Sequence, residues 1–358
     1  MGLPFFDSGA RKKRDQVIAV DLGARTTKAV HVERRDEGYA LCGFAIVDAP
    51  IFEKALSAEL LSEHLKSISQ SLGNKTKSLA LTVGVSDALV RPVEMPLMPV
   101  EDLRMVLKHG SKNYLQQDLP NHVFDCCFNA NPRNNKPGEA PKTAGGPHKQ
   151  RILVTAAKKQ IVEEFTSAAK SAGLVADAIV PGIIGPVNAF ELAMPQVFQN
   201  EVVALVDIGF KHSTICILQH GELVLSRTMA IGGDRLTASL SESMNISYAE
   251  AEGIKIGMAE EVQPSLQATL TPLGRELRAS IDFFEHQQDK AVSQVFVTGG
   301  SACSQIIVDS LHAELMVECK TWHPTGSMQT DLPPEKKAEL EQAAPQLSVA
   351  IGTAFTAL

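Results

Sequence analysis

The sequence predicts an α/β fold made of two similar halves that face each other across a cleft, and two observations carry this. First, the stretches Val17-Ile18-Ala19-Val20-Asp21-Leu22-Gly23-Ala24 and Val203-Ala204-Leu205-Val206-Asp207-Ile208-Gly209-Phe210 are both apolar strands running into Asp-x-Gly. Second, after each one a few polar residues lead into a second strand (28–33 and 213–219), a turn (36–38 and 220–222) and a third strand. The copies lie 186 residues apart, about half of the 358-residue chain.

An Asp-x-Gly at a strand end suits a nucleotide. Glycine lets the backbone turn and bring its N–H groups close to phosphate oxygens, while the carboxylate orients a hydrated Mg²⁺. Asp21 and Asp207 are the expected metal-orienting pair, acting through water, with Gly23 and Gly209 as the turn residues. Thr26, Thr27, Ser213 and Thr214 add hydroxyl donors beside the turns, and Lys28 places a point charge where outer phosphates would lie.

Further elements follow in the second half. A strand at 295–298 runs into Gly299-Gly300-Ser301, a turn that lets backbone lie against a flat ligand, and residues 304–315 carry Ile307, Leu311 and Leu315 at helical spacing. Gly232-Gly233-Asp234 opens a helix with Leu236, Leu240 and Met244 on one face, so its glycine N–H groups suit a phosphate; the same residues also read as an ordinary capped helix. Ser247-x-x-Glu250 is a capping box, and the helix it starts carries Glu252 and Lys255 three apart, which by themselves read as an exposed ion pair.

Composition excludes several other functions. With 44% hydrophobic and 21% charged residues the chain is an ordinary globular protein rather than a disordered one. A net charge of −7, one Trp, three Tyr and a single dense basic cluster at Arg11–Arg14 argue against a nucleic-acid surface. The longest mostly apolar stretch, 178–190, falls short of the ~20 residues a bilayer span needs and is broken by Pro181 and Pro186, so no membrane span is expected. The N-terminus places Phe5 and Phe6 before its charges, the reverse of a secretion signal, and a cytoplasmic location is expected. The six cysteines contain no C-x-x-C and no His at a ligand spacing, so they read as reduced thiols without zinc.

Taken in order, these parts resemble the actin-like ATPase superfamily, with its duplicated ribonuclease-H-like units, two phosphate loops, adenosine loop and connecting helices. Asp21-Leu22-Gly23 with Lys28 resembles phosphate loop one, Asp207-Ile208-Gly209 with Ser213 phosphate loop two, and Gly299-Gly300-Ser301 the adenosine loop. Gly232-Gly233-Asp234 and the helix carrying Glu252 and Lys255 correspond to nucleotide-facing positions, and the segment 349–355 resembles the second connecting helix. The resemblance implies ATP or ADP with Mg²⁺ as ligands.

The stretch from Arg91-Pro92-Val93-Glu94-Met95-Pro96-Leu97-Met98-Pro99 onward selects the branch. It opens an inserted strand-helix-strand-strand-helix-strand unit that resembles the PilM family of type IV pilus assembly proteins, within the FtsA-like branch. The expected division is a tail at 1–14, a first lobe at 15–87 with 178–200 and 345–358, an insertion at 88–177 with a mobile loop at 131–150, and a second lobe at 201–344. The chain stops at Leu358, where FtsA-like chains continue to an amphipathic tail, and a long helix at 275–288 also favours the pilus branch.

The resemblance implies a nucleotide-binding scaffold that docks the short cytoplasmic N-terminal peptide of a PilN-like inner-membrane protein, and so lies peripheral to that membrane. Met95, Leu97, Met98 and Met105 are the expected groove, since Met and Leu make adaptable apolar contacts for an extended peptide. Hydrolysis is expected to be slow, because residues 180–185 are entirely apolar where the superfamily often presents a water-orienting polar residue. An FtsA-like filament-forming or membrane-recruiting ATPase, with self-association, and an active phosphotransferase are the competing readings.

Overall fold

The computed structural model describes residues 14–50, 57–128, 149–257 and 262–358. The tail at 1–13, most of the expected loop at 131–150 and the end of the strand expected to reach Ala130 lie outside the described residues.

Strands β1 (Gln16–Leu22), β2 (Thr26–Arg35) and β3 (Gly38–Asp48) form an antiparallel meander in which Asp21 pairs with Lys28 and Leu22 with Thr27. Helix α1 (Ala58–Ser71) is capped by Ser57, whose hydroxyl accepts from the Leu60 N–H, and buries Leu61, Leu65 and Ile68. Strand β4 (Ser78–Val83) then returns parallel to β1. The next elements are β5 (Ala88–Pro96), α2 (Val100–Leu115), β6 (His122–Phe128), β7 (Lys149–Lys158), α3 (Lys159–Ser171) and β8 (Val175–Pro181). Of these, β5, β7 and β6 form a separate three-stranded sheet covered by α2, whose Leu103, Leu107 and Leu115 share a core with Met95, Phe124 and Ile152.

The insertion is therefore smaller than the sequence suggests. Helix α3 buries Val162, Phe165, Ala168 and Ala169 in the same core as Ile18, Leu61 and Leu79, and β8 pairs with β4. Both belong to the first lobe, because the apolar face of α3 finds its partner there. Helix α2 also ends at Leu115 rather than 119, since Gln116 takes a left-handed conformation (φ 57°) that stops the helix ahead of Pro120.

Helices α4 (Ile184–Ala193) and α5 (Pro195–Asn200) lead to the second lobe. Its meander is β9 (Val202–Ile208), β10 (Ser213–Gln219) and β11 (Glu222–Met229), followed by α6 (Gly233–Met244), α7 (Tyr248–Gly257) and α8 (Gln263–Gln288). Helix α8 begins well before the expected residue 275 and carries Pro272 inside it. A proline in a helix costs about 3 kcal/mol. The apolar face of Leu266, Leu270, Leu273, Leu277, Ile281 and Phe284 is buried against the second-lobe core, and at roughly 1.5–3 kcal/mol per side chain it outweighs that cost.

The chain closes with β12 (Gln294–Thr298), a 3₁₀ turn (Gly300–Cys303), α9 (Gln305–Leu315), β13 (Cys319–Thr321), β14 (Gln329–Thr330), α10 (Pro334–Ala343) and α11 (Ser348–Ala354). The first sheet has the order β14-β3-β2-β1-β4-β8 and the second β11-β10-β9-β12-β13, so each lobe repeats the same meander beside a parallel strand. Strand β14, expected in the second lobe, pairs with β3 in the first sheet.

The lobes meet at α4 and α11. A Cβ on Gly352 would overlap the Gly185 carbonyl oxygen, and a Cβ on Gly185 would lie 2.6 Å from the Val349 oxygen, so only glycine allows this crossing. Gly352 thus serves the contact between the two connecting helices. Phe190, Phe296 and Trp322 fill the space beside it, with ring centroids 4.8 and 5.2 Å from Phe190.

Candidate functional site

Between the lobes lies a cleft of about 850 Å³, lined from the first lobe by Arg25, Thr26 and Lys28 and from the second by Gly209, Phe210, Gly233, Glu252, Lys255, Gly300 and Ser301. Its size suits a small-molecule ligand.

The first-lobe wall is the β1–β2 turn. Gly23 is required there, because a Cβ would sit 2.5 Å from the Thr26 carbonyl oxygen and 2.8 Å from Lys28 Nζ. Strand alternation directs Thr26 and Lys28 to the cleft and Thr27 away from it. Thr27 is fully buried, with Oγ1 2.8 Å from His64 Nε2 on α1, so its expected role as a ligand donor is corrected to a structural one. Asp21, at the end of β1, accepts from Thr82 Oγ1 at 3.1 Å and lies 3.8 Å from Lys28 Nζ.

The second-lobe wall repeats the design. Asp207 ends β9 beside Thr298 of β12, and its carboxylate packs on the backbone of Gly299, which has φ +95° and no room for a Cβ. Burial, reinforced by the charge of Asp21 and opposed by Lys28, pushes the Asp207 carboxyl up to about 6. Asp21 is thus near enough to act on the Asp207 carboxyl, though neither carboxylate is among the residues that line the cleft. Ser213 and Thr214 are buried, and the Ser213 hydroxyl donates to the Ile231 carbonyl at 2.6 Å.

Gly232-Gly233-Asp234 also differs from expectation. The Gly233 N–H donates to the Gly209 carbonyl (2.9 Å) and the Asp234 N–H to the Phe210 carbonyl (2.8 Å), so these two donors tie the start of α6 to the β9–β10 turn. A Cβ on Gly232 would lie 2.5 Å from the Phe210 oxygen, which is why glycine stands there. Asp234 accepts from Lys211 Nζ and the Tyr248 hydroxyl, both at 2.6 Å. Burial pulls its carboxyl upward, but these hydrogen bonds outweigh that and leave it below its ordinary value.

Glu252 and Lys255, expected as an exposed pair if they had no ligand role, are buried in the cleft wall. Lys255 Nζ lies 2.7 Å from Glu252 Oε2, 2.8 Å from Thr237 Oγ1 and 3.3 Å from the Gly233 carbonyl. Burial raises the Glu252 carboxyl, and the bonds from Lys255 and Thr237 more than reverse this. The other Glu252 oxygen pairs with Arg25 of the opposite lobe.

Sequence reasoning missed Arg25, Phe210, Cys303, Ser304, Gln305 and Gln346, all of which line the cleft. Arg25 could have been found, since it is a cation inside the first Asp-x-Gly turn; the others carry no local signal.

Of the expected peptide groove, Met95 is fully buried in the insertion's core and lines no surface, because it faces α2 from β5. Leu97 and Met105 are 70% and 55% exposed, and Met98 is half-buried.

The family model described as type IV pilus assembly protein PilM matches residues 19–358. The chain belongs to this family. Among solved structures it resembles a PilM–PilN type IV pilus biogenesis complex, at TM-score 0.81 and 19% identity over 96% of this chain and 98% of that one. MreB5 of Spiroplasma citri, bound to ADP, matches at TM-score 0.52 and 11% identity over 96% of each chain. These likenesses establish the actin-like fold of this PilM-family chain, as the duplicated meanders imply. The cell division protein FtsA of Bacillus subtilis (strain 168) is 22% identical over 272 residues, 66% of this chain and 57% of FtsA. The chain spans about half the length of the curated relatives it matches.

Proposed function

We propose that this chain is a nucleotide-binding scaffold of a type IV pilus or related secretion system, which holds Mg·ATP or Mg·ADP between its lobes and docks the cytoplasmic N-terminal peptide of a PilN-like inner-membrane protein. Membership of the PilM family supports the assembly role, and the fold shared with the PilM–PilN complex supports the kind of partner. Among the described residues no helix is long and apolar enough to cross a membrane, so attachment to the membrane would come through that partner.

The observation that carries nucleotide binding is the pair of opposed Asp-x-Gly turns at one cleft, with Lys28 beside Asp21. Two carboxylates at strand ends fit a hydrated Mg²⁺ as a donor set, and bound metal would neutralise phosphate charge. Lys28 directs its charge to the outer phosphates, while Gly300 and Ser301 offer backbone to the base. Ile183 and Ile184 are buried and present no polar group to a water, which supports slow turnover.

Peptide docking is proposed at the insertion residues Leu97 and Met105, which are exposed, and Met98, which is half-buried. The test is calorimetry on the full chain, first with Mg·ATP and then with a synthetic PilN-type N-terminal peptide. Both should bind, and phosphate release should stay well below the ~1 s⁻¹ lower range of kinases. Failure of nucleotide to bind sinks the cleft assignment; failure of the peptide sinks the partner; rapid phosphate release sinks the scaffold reading in favour of an enzyme.

A further inference from the structure

We propose that His31, Glu33 and Cys42 form a site for a thiophilic divalent cation of the zinc type, outside the residues that line the cleft. Their ligand atoms all lie within 4.8 Å of one another, and none of the three lines the cleft.

Spacing along the chain hides this cluster; strand pairing creates it. His31 and Glu33 are two apart on β2 and share one face of the sheet. Across the hairpin, His31 pairs with Gly43 and Val32 with Leu41, so Cys42 is an extra residue in β3. In an unbroken ladder Cys42 would stand opposite Val32, on the other face. The bulge frees it and brings Sγ to the imidazole and carboxylate, and re-aiming a side chain in this way is a common use of bulges near sites.

The donor set decides the ion. Thiolate, imidazole and carboxylate with one water make the tetrahedral environment that zinc prefers, whereas Mg²⁺ and Ca²⁺ take oxygen ligands. Bonds of about 2.0–2.3 Å bring tetrahedral ligands to roughly 3.3–3.8 Å from one another, so the cluster must close by about 1 Å. His31 is buried and fixed, while Glu33 and Cys42 are half-buried and can turn toward it. The ring nitrogen facing the cluster, His31 Nε2, lies 3.8 Å from Glu33 Oε1 and 3.2 Å from Gln16 Oε1. Gln16 is exposed and can give that nitrogen up.

Arg35 is the cation now nearest the cluster, 2.7 Å from Glu33 Oε2 and 3.8 Å from Cys42 Sγ. It also reaches Asp331 at 3.5 Å, which can retain it when a metal takes its place. Arg35 therefore competes with the ion, and removing its charge should tighten binding.

The experiment uses the purified full chain, stripped with chelator, kept reduced and titrated with Co²⁺ as the spectroscopic stand-in. One equivalent should produce a thiolate-to-cobalt charge-transfer band with tetrahedral visible bands, and one equivalent of Zn²⁺ should erase both. Cys42→Ser should abolish the charge-transfer band, His31→Gln should weaken Co²⁺ binding at least tenfold, and Arg35→Gln should strengthen it severalfold. No thiolate band in the wild type, or a band that survives Cys42→Ser, overturns the proposal. His31→Gln could disturb the fold, so the half-buried Cys42 decides, with circular dichroism confirming that this variant is native.

Discussion

Arg25, in the turn between β1 and β2, crosses the cleft to pair with Glu252 on α7, and its guanidinium stands 5.4 Å from the ring centre of Phe210. One residue thus joins the β1–β2 turn to the opposite lobe across the cleft. The two partners differ in environment. The Arg25 side chain is 42% exposed, whereas Glu252 also neutralises Lys255, which is only 10% exposed.

That asymmetry makes the two deletions unequal. Arg25→Ala should cost at most about 1 kcal/mol of stability, as expected of a pair with one solvated member. Glu252→Ala leaves the buried Lys255 ammonium without its counter-charge, with only neutral acceptors on Thr237 and Gly233, and should cost about 3 kcal/mol. Urea denaturation of both variants checks this, and equal losses would contradict it.

For nucleotide, Asp21→Asn and Lys28→Ala should each weaken Mg·ATP binding at least tenfold, about 1.4 kcal/mol. Lys28→Ala should leave AMP binding nearly unchanged, because in the proposed site its charge addresses the outer phosphates. Calorimetry with both nucleotides gives the comparison.

The insertion offers a contrast between surface and core. Leu97→Glu and Met105→Glu should remove peptide binding while the melting temperature and Mg·ATP affinity stay as in the wild type. Met95→Glu should instead unfold the insertion, since a carboxylate would be buried among Leu103, Leu107 and Ile152. A Met95→Glu chain with a wild-type melting curve would contradict the observed packing.

Two glycines should respond in opposite directions. Gly352→Ala drives a methyl into the Gly185 carbonyl and should destabilise the chain by about 3 kcal/mol or more. Gly253→Ala meets nothing within 4 Å on α7 and should stabilise by about 0.5–1 kcal/mol. Thermal denaturation of the pair is the check.

His64 links stability to pH. Burial lowers its pKa from the ordinary 6.5, so in the window below 6.5 the unfolded chain binds more protons than the folded one. Its contribution is present above pH 6.5 and is lost as pH falls through the lower folded value. His64→Gln should flatten the fall in stability as pH drops below 6.5 relative to wild type. His31 and His122 shift the same way, so only the difference between the two pH curves reports on His64.

The repeated Asp-x-Gly turns, the meanders that follow them and the place of Lys28 were all legible from the chain. Each depends on near neighbours: an apolar run makes a strand, glycine makes the turn, and alternation puts Lys28 on the same face as Thr26. Which face meets the cleft was not legible, because the opposite lobe decides it. Hence Thr27 and Ser213, polar and next to the turns, prove to be buried structural groups, and Arg25 proves to be a residue that spans the cleft. The same holds for α3, which joins the core that accepts its apolar face, for Met95, which α2 covers, and for Cys42, which a bulge turns toward His31. Local sequence specified the elements and their chemistry. Packing between elements far apart in the chain determined which side chains remained available, since burial and strand register depend on what each face is pressed against.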